Sequence, residues 1–451
     1  MIKRDTSSLD ALRPCFEGFV PSMVATCAPD GTPNVTYVSQ VHYVDAAHVA
    51  LTYQFFSKTR ENVLANPHAS ILVVDPDTGA QHRLQAQYLR TETSGPLFES
   101  MKAKLAGIAS HTGMTGVFRL LGSDVYRVDA VEAVPGPELQ RPPARRNFLA
   151  AVRAACERLS GCDTLDRLLD EALTCVERAF DIRHSMILML DAGRRSLYIV
   201  ATRGYATSGI GSEIPLGRGV IGVAARECTP IRIPHATAEY GYGRALRESA
   251  ARSGLAGLLD TEIAFPGLAD PGSQLAVPIV VCRRMIGVLY VESGEERRFT
   301  YDDEDALTAV ASQIGAAIAL LQVIESQEEH PTVAATRPAP SGAPLVVRHF
   351  AVNDCVFLGD EYLIKGVAGA IFWKLARDCV SYGRTEFTNR ELRLDASIRL
   401  PDVSDNLEAR LVLLQRRLAE RAAGVTIEKT GRGRFRLAVS RPLQLQEVAS
   451  G

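Results

Sequence analysis

Three rhythms of apolar and polar residues follow one another along the chain. From about Phe19 to Val134, short apolar runs (SMVATCA, HVALTY, ASILVVD, DVYRVDAV) alternate with turn signals such as Pro29–Pro33 and Asp75–Ala80. Strand-length runs at that spacing predict a small barrel or sandwich. One helical stretch interrupts them, PLFESMKAKLAGIA, with Leu97, Met101, Leu105 and Ile108 on a single stripe. VPGPELQRPPARR, with its four prolines, then reads as a boundary. From about Asn147 to Glu328 the period changes. Two helices (FLAAVRAACERLSG, TLDRLLDEALTCVERAF) precede three or four strands, including SMILMLD, SLYIVATRG, QLAVPIVV and RMIGVLYVES. A closing helix carries Leu307, Val310, Ala311, Ile314, Ala317, Ile318 and Leu321 at helical spacing, so an α+β domain is expected. ESQEEHPTVAATRPAPSGAP has no period and reads as a linker. The third rhythm, about Leu345 to Leu443, predicts strands, three helices and a final hairpin. The expected divisions are 1–140, 146–328, a linker at 329–344, and 345–443.

Composition narrows the function classes. In 451 residues, 50 Lys+Arg stand against 52 Asp+Glu, so no chain-wide coating of nucleic acid or membrane is expected. Nine scattered cysteines without Cys-x-x-Cys favour reduced thiols in a cytoplasmic protein, and no metal site is expected. The start lacks the apolar stretch of a signal peptide, and the run TAVASQIGAAIALLQVI falls short of a membrane span.

Candidate chemistry begins after the strand HVALTYQ. There Ser57, Lys58, Thr59 and Arg60 stand together, with Asn62 following. Hydroxyls and backbone N–H groups fix phosphate oxygens while Lys and Arg offset their charge. The order DGTP turn, two strands, Thr-Tyr, Ser-Lys-Thr-x-x-Asn, Asn-Pro, ASILVVD resembles the pyridoxamine-phosphate-oxidase-like FMN-binding split barrels over about Pro14 to Val134. The resemblance implies that Ser39, Gln40, Thr52 and Tyr53 face the flavin ring, and that Ser57, Lys58 and Thr59, with Asn62 nearby, bind its phosphate. The oxidase's own Ser-Arg-Lys is Ser-Lys-Thr here. Haem, through His42, His48 or His111, and no cofactor at all stay open beside FMN. No carboxylate pair or nucleophile–base pair suggests catalysis beyond flavin redox chemistry.

In the middle block, GYATSGIGSEIPLGRGVIGVAARECTPIRIPHA, SQLAVPIVVCRRMIGVLYVES and FTYDDEDALTAVASQIGAAIALLQ together resemble a GAF domain. Phe299 and the acidic Asp302, Asp303 and Glu304 are expected to cap the closing helix. The resemblance implies a small-molecule pocket under the loop from about His235 to Ser273. Tyr240, Tyr242, Arg244 and Arg247 are its ligand candidates, for a ligand the sequence does not name. The closing helix carries more apolar surface than the sheet requires, which predicts packing between subunits of a homodimer.

The third block holds the sharpest charge asymmetry. Between Ala409 and Arg436 lie Arg410, Arg416, Arg417, Arg421, Lys429, Arg432, Arg434 and Arg436, against Glu420 and Glu428. Leu407, Leu411, Leu414 and Leu418 are expected to bury one face of a long helix and leave Arg410, Arg417 and Arg421 exposed. Long helix and Gly-Arg-Gly-Arg-Phe-Arg-Leu hairpin resemble the OmpR/PhoB-type winged-helix DNA-binding domain. The resemblance implies groove or phosphate contacts by Asn406, Arg410, Arg416 and Arg417, and wing contacts by Lys429, Arg432 and Arg434. The combined expectation is a multidomain cytoplasmic regulator: flavin split barrel (a β-barrel), α/β GAF domain and winged helix-turn-helix bound to DNA. An FMN-dependent oxidoreductase with regulatory GAF and C-terminal parts is the alternative.

Overall fold

The computed structural model describes residues 8–38, 40–54, 57–111, 119–141, 147–235, 263–327, 341–398, 400, 407–421 and 424–448. Its strands gather into four sheets. A 3₁₀ helix, Leu9–Phe16, opens the first region. The strands there are β1 (Ser22–Cys27), β2 (Pro33–Val38), β3 (Val41–Asp45), β4 (His48–Tyr53), β5 (His68–Val74), β6 (Gln81–Glu92) and β7 (Gly122–Val134). They form one antiparallel sheet ordered β2-β1-β5-β6-β7-β4-β3. Register shifts at Gln85/Ala86 and Tyr88/Arg90 bend the long β6–β7 pair, so it can serve both halves of the sheet. Alternate residues such as Val24, Ile71, Val73 and Leu84 point inward onto Leu9 and Phe16. Two helices accompany the sheet, α1 (Lys58–Ala65) and α2 (Pro96–His111).

The middle region contains α3 (Phe148–Ser160), α4 (Leu165–Phe180), β8 (His184–Asp191), β9 (Ser196–Arg203), β10 (Glu213–Pro215), α5 (Gly219–Glu227), β11 (Ile231–Ile233), β12 (Ser273–Val281), β13 (Arg284–Ser293) and α6 (Tyr301–Gln327). Its sheet runs β10-β9-β8-β13-β12-β11, six strands where three or four are expected. The additional β10 and β11 have three residues each, too few to show a period. Strand alternation divides the domain into two apolar layers. Ile187, Met189, Leu289 and Val291 face α3, α4 and α6. Met186, Leu188, Val288 and Tyr290 face α5, and also Ala103 and Ala106 of α2.

Helix α6 corrects two expectations. It is longer than the apolar run suggests, and Tyr301–Ile324 is long and apolar enough to cross a membrane by length and composition, at mean hydropathy 1.9. Its stripe Leu307, Val310, Ala311, Ile314, Ile318 and Leu321 is nevertheless buried within the chain, in the layer shared with α3 and α4. That stripe is internal core and is not left over for a second subunit. The large apolar residues exposed here are Leu149 on α3 (80%) and Leu320 (60%) and Val323 (53%) on α6. The capping of α6 falls to Thr300 and Asp303, whose side chains each accept the other's backbone N–H, at 3.4 and 3.0 Å.

The last region holds β14 (Leu345–Phe350), β15 (Cys355–Leu358), β16 (Glu361–Ile364), α7 (Gly366–Tyr382), β17 (Glu386–Thr388), α8 (Asn389–Leu394), α9 (Leu407–Arg421), β18 (Val425–Gly431), β19 (Arg434–Val439) and β20 (Leu443–Val448). Thr388 and Glu391 form a reciprocal capping box at α8. Strand β20 lies beyond the expected end of the block at Leu443 and pairs in parallel with β14. The sheets are β16-β15-β14-β20 and β17-β19-β18.

Candidate functional site

Strand β4 delivers Thr52 and Tyr53, and Ser57 then caps α1 by accepting the Arg60 N–H at 3.4 Å. The polar cluster at this turn is partly engaged in holding the fold. Asn34 Nδ2 donates to Thr59 Oγ1 at 2.8 Å, and buried Asn62 donates to Thr26 Oγ1 at 3.1 Å. Arg60 turns inward: it pairs with Asp124, donates to Thr91 at 3.0 Å and lies 4.1 Å from the centre of the Tyr53 ring. It therefore offsets Asp124, not a phosphate. Lys58 remains the exposed cation of the cluster, 3.3 Å from Glu61. Thr52 accepts from Gln54 Nε2 at 3.5 Å. Beside Tyr53, Gly122 has no room for a side chain, since a Cβ there would stand 2.5 Å from Thr91 and 3.2 Å from Tyr53. Gln40 is buried with its Nε2 3.4 Å from His42 Nδ1, and its Oε1 has no hydrogen-bond partner among the described residues. The hydroxyl of Ser123 is orphaned in the same way. Buried polar atoms left unpaired are costly, and they are where a polar ligand or a water is accommodated. Ser39 lies outside the described residues.

His42 leads from this region to a charged joint that the sequence did not announce. Buried Arg232, on β11, donates to Glu17 at 2.6 Å, Glu304 at 2.9 Å and the Phe299 carbonyl at 3.0 Å. The Tyr301 N–H donates to the same Glu17 at 2.8 Å. Buried Lys104, on α2, donates to the Tyr301 hydroxyl at 2.9 Å and sits 4.2 Å from that ring's centre, while Arg232 sits 4.4 Å from it. Burial and neighbouring Arg232 bring the Lys104 ammonium down to about 7. Burial, Lys104 and Arg232 likewise hold the His42 imidazole well below its ordinary value, so it is neutral. The joint ties the first sheet to the start of α6. It also needs Gly107, where a Cβ would crowd Ile233 at 3.2 Å. The available signals were single charges inside apolar patterns: Arg232 between Ile231 and Ile233, and Lys104 three residues after Met101.

The haem alternative rested on three histidines. His42 is buried as described, His48 lies 2.8 Å from Asp45, and the His111 side chain lies outside the described residues.

On the α5 side of the middle sheet, buried Glu292 accepts from the Tyr290 hydroxyl at 3.0 Å and from the Leu268 N–H at 2.8 Å. Gln274 donates to Tyr290 Oη at 2.6 Å. Burial, then Glu292, raises the Tyr290 and Tyr205 hydroxyls well above their ordinary range, so both stay protonated. Tyr240, Tyr242, Arg244 and Arg247 lie outside the described residues.

The basic residues of the last region divide. Arg410 and Arg417, expected at exposed positions, are only 4% and 5% exposed. Arg410 lies 3.0 Å from Asp191, and Arg417 bonds the Leu363 carbonyl at 3.1 Å and Glu420 at 2.6 Å. Arg416 is held by Asp166 and Asp170 of α4, at 2.6 and 2.8 Å. Lys429 pairs with Glu408 at 2.8 Å. At the hairpin Arg432 is exposed, and Arg434 lines an open groove of about 410 Å³ with Arg384, Arg436, Glu386 and Glu391. Asn406 lies outside the described residues.

Comparison with known proteins agrees with two of the three regions. Residues 8–129 match the pyridoxamine 5'-phosphate oxidase family and residues 162–319 match the GAF domain. No curated protein matches the chain. Among solved structures, it is similar to the GAF domain of an Acinetobacter phosphoenolpyruvate-protein phosphotransferase (19% identity, 39% of this chain, 95% of that one, TM-score 0.31). It is also similar to free methionine-R-sulfoxide reductase from Neisseria meningitidis (16%, 39% and 91%, TM-score 0.31). An FMN-binding protein from Syntrophomonas wolfei aligns at 14% identity over 30% of this chain and 88% of that one, with TM-score 0.24. The chain thus carries a pyridoxamine-phosphate-oxidase-like domain followed by a GAF domain.

Proposed function

We propose that this protein is a sensor in which the first domain takes FMN, the GAF domain relays its state, and the last region is a winged-helix output that binds DNA. The observation that carries the reading is the buried joint. Residue Gln40, a candidate for the flavin edge, touches His42, and His42 lies against Lys104, Arg232 and Tyr301 at the start of α6. A change in what Gln40 contacts therefore reaches charges that the GAF domain shares. The residues fit the cofactor in two respects: the orphaned Gln40 Oε1 awaits a donor, and Lys58 with the first N–H groups of α1 suits a phosphate monoester. Gln40, Thr52 and Tyr53 would hold the ring edge, and Ser57, Lys58 and Thr59 the phosphate. When bound, FMN supplies one- or two-electron redox chemistry. The GAF ligand, a small molecule, would lie near Glu292.

The absorbance spectrum of the purified full chain, followed by promoter-fragment binding with the flavin oxidised and reduced, tests the reading. A flavin spectrum with DNA affinity that changes on reduction is expected. Absence of flavin after reconstitution with FMN removes it. A second reading, a flavin-dependent oxidoreductase, is favoured by one observation: the long helix α9 is largely buried, Arg410 and Arg417 included. Turnover of NAD(P)H without DNA binding would select it.

A further inference from the structure

Helix α9, the one the winged-helix reading would place in a groove, is covered. Every residue from Ala409 to Leu414 is buried. Leu407, Leu411, Leu414 and Leu418 belong to one apolar face. The GAF domain holds Arg410 and Arg416, while Arg417 is held within the block by the Leu363 carbonyl and Glu420, and Arg421 by Glu361. Arg416 donates to Asp166 at 2.6 and 2.9 Å, to Asp170 at 2.8 Å and to the Val200 carbonyl at 3.1 Å. Arg410 approaches Asp191 at 3.0 Å and lies 4.4 Å from the Tyr198 ring centre. Ser208 donates to Glu420 at the edge. Lys365 lies 3.7 Å from Glu213, and Arg194 reaches the Asn353 carbonyl at 3.4 Å.

The chemistry of this contact is that of a polyanion site already filled. Guanidinium forks that match phosphate oxygens match carboxylates equally well. Asp166 and Asp170 present two carboxylates to one Arg416 guanidinium. We propose that the GAF domain latches the C-terminal block: its aspartates occupy Arg410 and Arg416 of α9 in place of DNA, and opening of that contact presents these two side chains. The proposal rests on the DNA-binding reading above. The Asp166 and Asp170 side chains are 44% and 66% exposed, so salt screens their pairs with Arg416 and the latch is weakest at this rim. The groove on the hairpin side is open; in it Arg384 pairs with Glu391 and Arg436 with Glu386 at 2.9 Å, and Arg434 lines it beside them. A closed chain would therefore retain weak, sequence-indifferent binding, and an open one would add sequence preference.

The test uses the full chain as wild type and as Asp166→Asn with Asp170→Asn. Amide exchange of α9 is read by mass spectrometry, and DNA binding by mobility shift on random and genomic fragments. Wild-type α9 should exchange faster as salt rises, which needs no substitution. The double variant should exchange faster at low salt and bind DNA at least tenfold more tightly. If α9 stays protected in the variant and in high salt, the latch is overturned. The same holds if protected wild type binds DNA as tightly as the variant. If α9 opens and no DNA binds, the DNA-binding reading fails and takes the proposal with it, an outcome the exchange data tell apart.

Discussion

Lys104 is buried beside Arg232, and Tyr301 is the hydrogen-bond acceptor its ammonium finds among the described residues. Both nearby carboxylates, Glu17 and Glu304, are already held by Arg232. With its folded value brought to about 7 from an ordinary 10.5, the unfolded chain carries a proton across that window that the folded chain lacks. Stability therefore rises with pH between about 7 and 10.5, and below about 7 the full penalty of the buried ammonium is present without further pH dependence. Lys104→Met should remove that slope and stabilise the protein near neutral pH by about 1–4 kcal/mol, as apolar replacement of a buried charge does. Urea unfolding followed by circular dichroism at several pH values checks it, and a variant less stable at pH 7 would contradict it. Lys58, by contrast, is exposed, with Glu61 3.3 Å away. Lys58→Ala should weaken FMN by about 1.5–3 kcal/mol if a charge-assisted bond is lost. Titration of apoprotein measures it, and unchanged affinity would detach Lys58 from the phosphate.

At the level of elements, the sequence was most readable where a run was long enough to show its period. The strands SMVATCA and SMILMLD and the helix α4 appear within a residue or two of their apolar patterns, while α6 runs past its stripe at both ends. Strands β10, β11 and β17 have three residues each, too short for any period to register. The purpose of an apolar stripe was less legible than its existence. Helix α2 shows one stripe, Met101 and Leu105, yet Ala103 and Ala106 on its other side bury against the GAF sheet. The stripe of α6 predicts packing between subunits, and it lies in the core instead. Ile314→Glu should therefore unfold the GAF domain, because it buries an unpaired carboxylate. Leu320→Glu should leave the fold intact, and if the exposed Leu149, Leu320 and Val323 meet a second copy it should lower the mass seen by light scattering. A folded Ile314→Glu protein would count against the packing described here.

For the whole molecule, what escaped sequence reading is pairing between distant residues. The charge excess on α9 and the hairpin was visible, but nothing in the local pattern says that Asp166, 250 positions away, receives Arg416. Counting charges finds a basic face and not its neighbour. The hairpin arginines can be tested on their own: Arg434→Ala should lower the magnitude of the salt slope of DNA binding by about one unit, with no change in sequence preference. An unchanged slope would take Arg434 out of the interface. The parallel pairing of β14 with β20 has a different consequence, for synthesis. The first strand of the last block waits for a neighbour made almost 100 residues later, from Leu345 to Leu443. On a ribosome the first two domains would already be folded when α9 emerges. Asp166, Asp170 and Asp191 would then meet the arginines of a block still lacking its edge strand. A chain ended at Pro442 should keep its first two domains folded and lose protection in β14, so the GAF domain would be the template on which the last block is finished.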